Sequence, residues 1–239
     1  MAKRGIKKTL ILSVLFFLPV LFLLFLYPSK HNYNTLDIVN EGVLELDKFV
    51  GEDNQTVKLS EQITVLAFFG KQPMSRVTEA ANLKELIYEK FKGFKKFQVL
   101  VVLPKEAKDE ASLLKKELLK YDELKYWHFA FGHELDIEKV FNSLKSQESL
   151  DTNYATSHVF IIDKELNQRG RLDDRTDKEI ENNKAVYGLS SYNCIKVAEI
   201  KNKMSEDMRI LFTEYRQKRK GNFNSTSRRG EDIKGNEKN

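Results

Sequence analysis

Two apolar runs, residues 63–69 and 97–103, enclose a stretch of helical periodicity, and this triplet constrains the fold more than any other feature of the chain. Both runs are apolar at nearly every position, as parallel strands covered by helices on both faces should be. Between them Ala80, Leu83, Ile87 and Phe91 recur at three- and four-residue spacing, while Glu79, Lys84, Glu85, Glu89 and Lys90 fall on the other side. Strand, helix and strand in that order imply two parallel strands joined by a right-handed crossover. The chain is therefore expected to hold an α/β domain.

The flanking sequence extends that unit. Residues 43–60 read as a short β-rich lead-in with a turn at Gly51-Glu52-Asp53-Asn54. Residues 107–121 are amphipathic, 127–131 suit a short strand and 137–144 a short helix. Residues 147–156 read as a loop. The third strong strand signal is 158–163, followed by a turn at 164–167 and a returning strand at 169–172. Residues 199–219 form a long closing helix carrying Ile200, Met204, Met208, Leu211, Phe212 and Tyr215. There is no internal repeat.

The ends of the chain differ from its middle. The net charge of +5 hides a split: residues 1–8 carry +4 and residues 216–239 carry +5, so the rest carries −4. A basic face that tracks phosphates is not expected, which argues against a nucleic-acid partner. Residues 9–27 are almost wholly apolar and uncharged, close to the length of a membrane span. The four cations before them predict a cytoplasmic N-terminus and an extracytoplasmic remainder, on the periplasmic side in a bacterium. Phe25-Leu26-Tyr27-Pro28 is a poor cleavage site, so an uncleaved single-pass anchor is expected rather than a signal peptide. The expected layout is a basic cytoplasmic start (1–8), an anchor (9–27), a linker (28–42), one domain (43–220) and a disordered basic tail (221–239).

Cysteine use narrows the chemistry. Cys194 is the only cysteine, so neither an internal disulfide nor a two-thiol redox cycle is available. It reads as a buried small apolar residue. His128 and His133 flank Phe129-Ala130-Phe131-Gly132, but five-residue spacing across a turn is no recognised metal signature, and a second metal site is not expected there. Asp173, Asp174 and Asp177 read as a solvated turn and helix start. The cations of residues 216–220 suit a helix C-terminus.

The order β-α-β, then a hairpin, then a C-terminal helix is that of a thioredoxin-like three-layer sandwich, here with an N-terminal transmembrane helix. The wording of Phe68-Phe69-Gly70-Lys71-Gln72-Pro73-Met74-Ser75-Arg76, with Asn82-Leu83 in the helix, resembles the Sco/SenC family, thioredoxin-fold copper chaperones of cytochrome c oxidase assembly. In that family the strand end leads into CPxxCP. Setting Asn82-Leu83 on the family's Asn-Leu places Gln72 and Arg76 on the two cysteines and Pro73 on the intervening proline. The family's histidine, eight residues before the aspartate that ends the third strand, falls on Ala155 ahead of Asp163. Arg169-Gly170-Arg171-Leu172-Asp173-Asp174-Arg175-Thr176-Asp177 resembles the stretch that follows in some Sco-like proteins, with an insertion between Asp177 and Ile195. The resemblance spans residues 46–215.

It implies a degenerate member of the family. Cu(I) favours thiolate, thioether and imidazole donors, and Gln72, Arg76 and Ala155 supply none, while the fixed charge of Arg76 repels a metal ion. The expected function is that of a non-redox, non-enzymatic accessory or binding factor, without a cofactor, beside protein partners in respiratory or metal-centre assembly. The alternative is a residual copper chaperone with non-standard ligands, Met74 and His158 and, further off, Cys194.

Overall fold

The computed structural model describes residues 11–22, 35–52, 54–119 and 123–219. The chain divides into two units, residues 35–224 and the two ends, 1–34 with 225–239. Within the latter, residues 11–22 are helical with exposed apolar side chains. Among the described residues no helix is long and apolar enough to cross a membrane. The rest of the expected anchor, the basic start and the 221–239 tail lie outside the described residues.

Residues 35–224 form an eight-stranded sheet. Its strands are β1 (Asp37–Asn40), β2 (Val50–Gly51), β3 (Ile63–Phe68), β4 (Phe97–Pro104), β5 (Trp127–Gly132), β6 (His158–Ile162), β7 (Gln168–Gly170) and β8 (Tyr192–Asn193), in the order β1-β7-β6-β3-β4-β5-β2, with β8 on β6. β3 and β4 are parallel from Ile63↔Phe97 to Phe68↔Val102, and β5 adds in parallel beyond β4. β6 runs antiparallel to β3 and turns back through β7. The inner order β7-β6-β3-β4, with one antiparallel strand inside, is the thioredoxin-like arrangement expected from the sequence.

Helix α1 begins as Val77–Leu83, widens into a π turn over Lys84–Tyr88 and ends as Glu89–Phe91. Helix α2 is Lys108–Leu119, α3 Glu134–Asn142, α4 Asp177–Glu181 and α5 Ser205–Arg219, the last preceded by a π turn over Glu199–Met204. The sequence predicts a continuous helix at both π turns. The two widened turns pack against each other.

Strand alternation builds the three layers. Val65, Ala67, Val99, Val101 and Phe129 face α1, α2 and α5. Leu66, Phe68, Leu100, Val102 and Ala130 face α3 and the lead-in residues Leu46, Phe49 and Leu59.

The expected linker ends earlier than residue 42, because its last residues are the edge strand β1, antiparallel to β7 from Asp37↔Gly170. A buried guanidinium secures it. Arg169 donates to the Leu36 carbonyl at 2.6 Å and to Asp163 at 2.9 Å, and it also pairs with Glu214 of α5. Arg171 does the same for the following segment, with three bonds to Asp207 of α5 at 2.9–3.0 Å, while Tyr192 Oη donates to the same carboxylate at 2.7 Å. The stretch expected as an insertion thus holds α4, started by a Thr176–Glu179 capping box, and β8.

Candidate functional site

The chain leaves β3 through Phe69 and turns at Gly70, whose φ is +68°. A Cβ here would overlap the Asn153 carbonyl oxygen and lie 2.9 Å from the Ala155 Cβ. Glycine is therefore required both for the turn and for the close approach of a second loop. Lys71 N donates to Asn153 O at 2.9 Å, Thr156 N donates to Phe68 O at 3.0 Å, and Phe69 and Ala155 form a β-bridge. The 3₁₀ turn Pro73–Arg76 then leads into α1, with proline at its first position, where a missing N–H costs nothing.

The second loop, residues 151–156, is organised by Asp151. Its Oδ1 accepts from Asn153 N at 2.8 Å and from Ala155 N at 3.0 Å, and Tyr154 N donates to Asp151 O at 2.9 Å. Tyr154 takes a φ of +62°, rare for a bulky residue. Its ring lies under the Lys71 ammonium, and its hydroxyl donates to Glu134 at 3.0 Å. Lys71 also pairs with Glu134. Hydrogen bonds from Lys71, and secondarily from Tyr154, hold the Glu134 carboxyl below its usual pKa.

Arg76 joins the two loops. One terminal nitrogen donates to Asp151 Oδ2 at 2.8 Å, and the other to Glu79 Oε1 and Ser157 Oγ, both at 3.0 Å. The Ser157 hydroxyl also donates to Glu79 at 3.3 Å. The Glu79 side chain is only 5% exposed, so its charge depends on this guanidinium. Directly behind lies Cys194, fully buried, its N–H on Ser157 O and its carbonyl accepting from Asn82 Nδ2, both at 2.8 Å. Burial, with Glu79 and Glu199 adding to it, pushes its thiol pKa well up, so it is a protonated, inert group at neutral pH.

The residues read from the sequence thus part company. Arg76 and Ala155 meet through Asp151. Gln72 is exposed, and its carbonyl accepts from Ser75 N and Oγ. Met74 is half-buried against the apolar core, and His158 is half-buried at the start of β6, paired with Asn193. Among the described residues no group of three His, Cys, Asp or Glu side chains is placed to hold a metal. An amide, a committed guanidinium and a methyl group do not fit copper.

His128 lies at the start of β5, while His133 follows its end and caps α3, with its Nε2 2.9 Å from Lys105 Nζ. Asp173 is engaged by Arg175, and Asp174 by Arg171 and Lys203; Asp174 is buried, so the turn expected to be solvated is instead closed by ion pairs.

Glu79, Asp151 and Ser157 were not legible as site residues. The Arg76–Glu79 spacing was a visible i,i+3 pair, but Asp151 and Ser157 are 75 and 81 residues from Arg76.

No family model matches the chain, and no curated protein matches it. Among solved structures it is similar to BsSco, a member of the Sco family of cytochrome c oxidase assembly proteins (11% identity, 74% of this chain and 94% of that one, TM-score 0.48). It is similar also to the soluble domain of Sco1 from Bacillus subtilis (16%, 74% and 96%, 0.45) and to copper-bound ScoI from Arabidopsis thaliana (14%, 71% and 98%, 0.42). At these scores the sheet order, not the likeness, carries the fold assignment. The structural neighbours of this thioredoxin-like chain include Sco family proteins and also a putative protein disulfide isomerase from Bacteroides thetaiotaomicron and the thioredoxin domain of a thiol-disulfide oxidoreductase from Bacteroides vulgatus.

Proposed function

We propose that this is a membrane-tethered, extracytoplasmic Sco-like domain that works by binding rather than by redox or copper chemistry, as an accessory factor in cytochrome c oxidase or metal-centre assembly. One observation carries the reading. The strand-to-helix loop, where thioredoxin-like proteins keep reactive thiols, is closed by the Arg76–Glu79–Asp151–Ser157 cluster and holds no thiol. A guanidinium bonded to two carboxylates and a hydroxyl fixes the geometry of both loops without offering a nucleophile or a soft donor.

The test has two arms. Cu(I) titration of the full-length chain against a competing chelator should show no binding above the competitor. Tight one-to-one binding lost in a Met74→Leu/His158→Phe variant would overturn the reading. In cells lacking the protein, oxidase assembly should fall and be restored by Cys194→Ala as well as by wild type. Unchanged oxidase in the deletion removes the proposed pathway, whatever the copper result.

A further inference from the structure

Helix α5 carries a pattern that core packing does not use. Arg209, Phe212, Arg216 and Arg219 recur at three- and four-residue spacing, which sets them in one stripe along the helix. Met208 and Leu211 face the core instead. The three arginines are exposed, and none has an ion-pair partner among the described residues. Glu206, beside the stripe, reaches towards Arg171 at 3.8 Å. A helix C-terminus accounts for Arg216 and Arg219, but Arg209 stands midway along residues 199–219, where the helix dipole gives a cation nothing.

An exposed aromatic ring sits on this stripe. Phe94 lies in the turn between α1 and β4 and stacks on Phe212 with centroids 4.3 Å apart, while Phe91 stacks on Phe212 at 5.3 Å. Phe212 is thereby nearly covered, yet Phe94 itself stays 46% exposed. Its neighbours in the turn are cations. Lys92 pairs with Glu89 at 2.7 Å and Lys96 lies 3.8 Å from Glu61, but Lys95 has no ion-pair partner among the described residues. One rigidly backed apolar ring thus stands among four unpaired cations, Lys95 and the three arginines. The chain continues from Arg219 into residues 220–239, which hold five Lys/Arg against three Asp/Glu.

We propose that this patch docks on the surface of an anionic phospholipid bilayer, with the Phe94 ring at the acyl boundary and Lys95, Arg209, Arg216 and Arg219 among the headgroup phosphates. Aromatic rings settle at the membrane interface, and each Lys or Arg close to an anionic surface adds to the attraction. A fluid array of headgroups satisfies long, mobile cations without a fixed geometry, and the acyl boundary buries the ring, which an acidic protein surface alone does not. The turn precedes β4, so the patch lies at the end of the sheet opposite Gly70 and Arg76. Docking there leaves the two loops turned away from the bilayer. The proposal stands whether or not residues 9–27 span a membrane.

The probe is a vesicle. Phe94→Trp, which keeps the stack on Phe212, is introduced into the full-length chain and mixed with vesicles whose acyl chains are brominated, buried Trp127 giving a constant background. Quenching of the new indole should be at least about threefold stronger in phosphatidylglycerol than in phosphatidylcholine, and should fall to the phosphatidylcholine level in about 0.5 M NaCl. Arg209→Gln/Arg216→Gln/Arg219→Gln should bring it to that level with an unchanged thermal midpoint. Lys116→Gln/Lys145→Gln/Lys178→Gln, which removes the same charge from three other exposed positions, should leave it intact. Equal quenching in the two lipids, or undiminished quenching in the arginine variant, would overturn the proposal. So would absence of quenching in phosphatidylglycerol, and retention of that chain on immobilised polyglutamate would then assign the patch to an acidic protein.

Discussion

Replacing Arg76 with methionine keeps most of the side-chain volume and removes the charge that Glu79 depends on. Arg76 is 20% exposed and Glu79 5%, so their pair is largely buried, whereas Asp151 is 42% exposed. Breaking a buried pair by removing one partner costs about 3–5 kcal/mol, and the exposed Asp151 pair adds about 1 kcal/mol or less. Water reaching through the exposed edge of Arg76 relieves part of this, so the net loss is set at about 2–4 kcal/mol. For a domain of this size that lowers the thermal midpoint by roughly 5–12 °C. The assay is urea unfolding of the full-length chain, followed by fluorescence of Trp127, its single and buried tryptophan. Arg76→Met combined with Glu79→Met should recover stability to within about 1 kcal/mol of wild type, because an apolar pair replaces the stranded carboxylate. A single variant losing less than about 0.5 kcal/mol, or a double variant no better than the single, refutes the account of Arg76 as the tie between the loops.

Gly70→Ala forces a Cβ into Asn153 O at a positive φ and should cost about 3 kcal/mol or more in the same unfolding assay. Glu45 accepts from the amides of Leu46, Leu59 and Ser60 at 2.7–2.9 Å; burial raises its pKa, but these bonds outweigh it and the net shift is downward. A carboxyl lowered on folding stabilises above its ordinary 4.5 and loses that contribution as pH falls through its lowered value. Glu45→Gln should therefore cost about 1–2 kcal/mol at pH 7 and flatten the acid limb of stability against pH. Cys194 should react with an exposed-thiol reagent at least about 100-fold more slowly in the native chain than in urea, since it is reached only by opening.

The central strands were readable because burial on both faces leaves a nearly unbroken apolar run, interrupted only by Thr64 in residues 63–68 and by Gln98 in residues 97–104. Edge strand β1 was not. Its four residues show no strong pattern, and what holds it is a bond from Arg169, 133 residues away in sequence. At the junction, the sequence showed that thiols are absent but read Arg76 only as a charge hostile to a metal.

That last difference changes what rebuilding a copper site would require. Gln72→Cys, Arg76→Cys and Ala155→His restore two thiolates and an imidazole on paper, yet Arg76→Cys also strands the buried Glu79 carboxylate beside a new thiolate. Two adjacent anions in a site with no compensating cation raise each other's pKa and weaken the fold. The Ala155 side chain, moreover, packs where Gly70 passes, so a histidine there must turn outward. The triple variant should therefore fold poorly without metal and be rescued either by Cu(I) or by Glu79→Gln, which removes the stranded charge. Stability of the metal-free triple variant equal to wild type would mean that Arg76 holds nothing together. Failure of the quadruple variant to bind Cu(I) while folded would mean that positions 72, 76 and 155 do not converge on one site. If the proposed function holds, scaffold and missing thiols are coupled through one residue, because the guanidinium at the aligned cysteine position also supplies the charge that ties the two loops together.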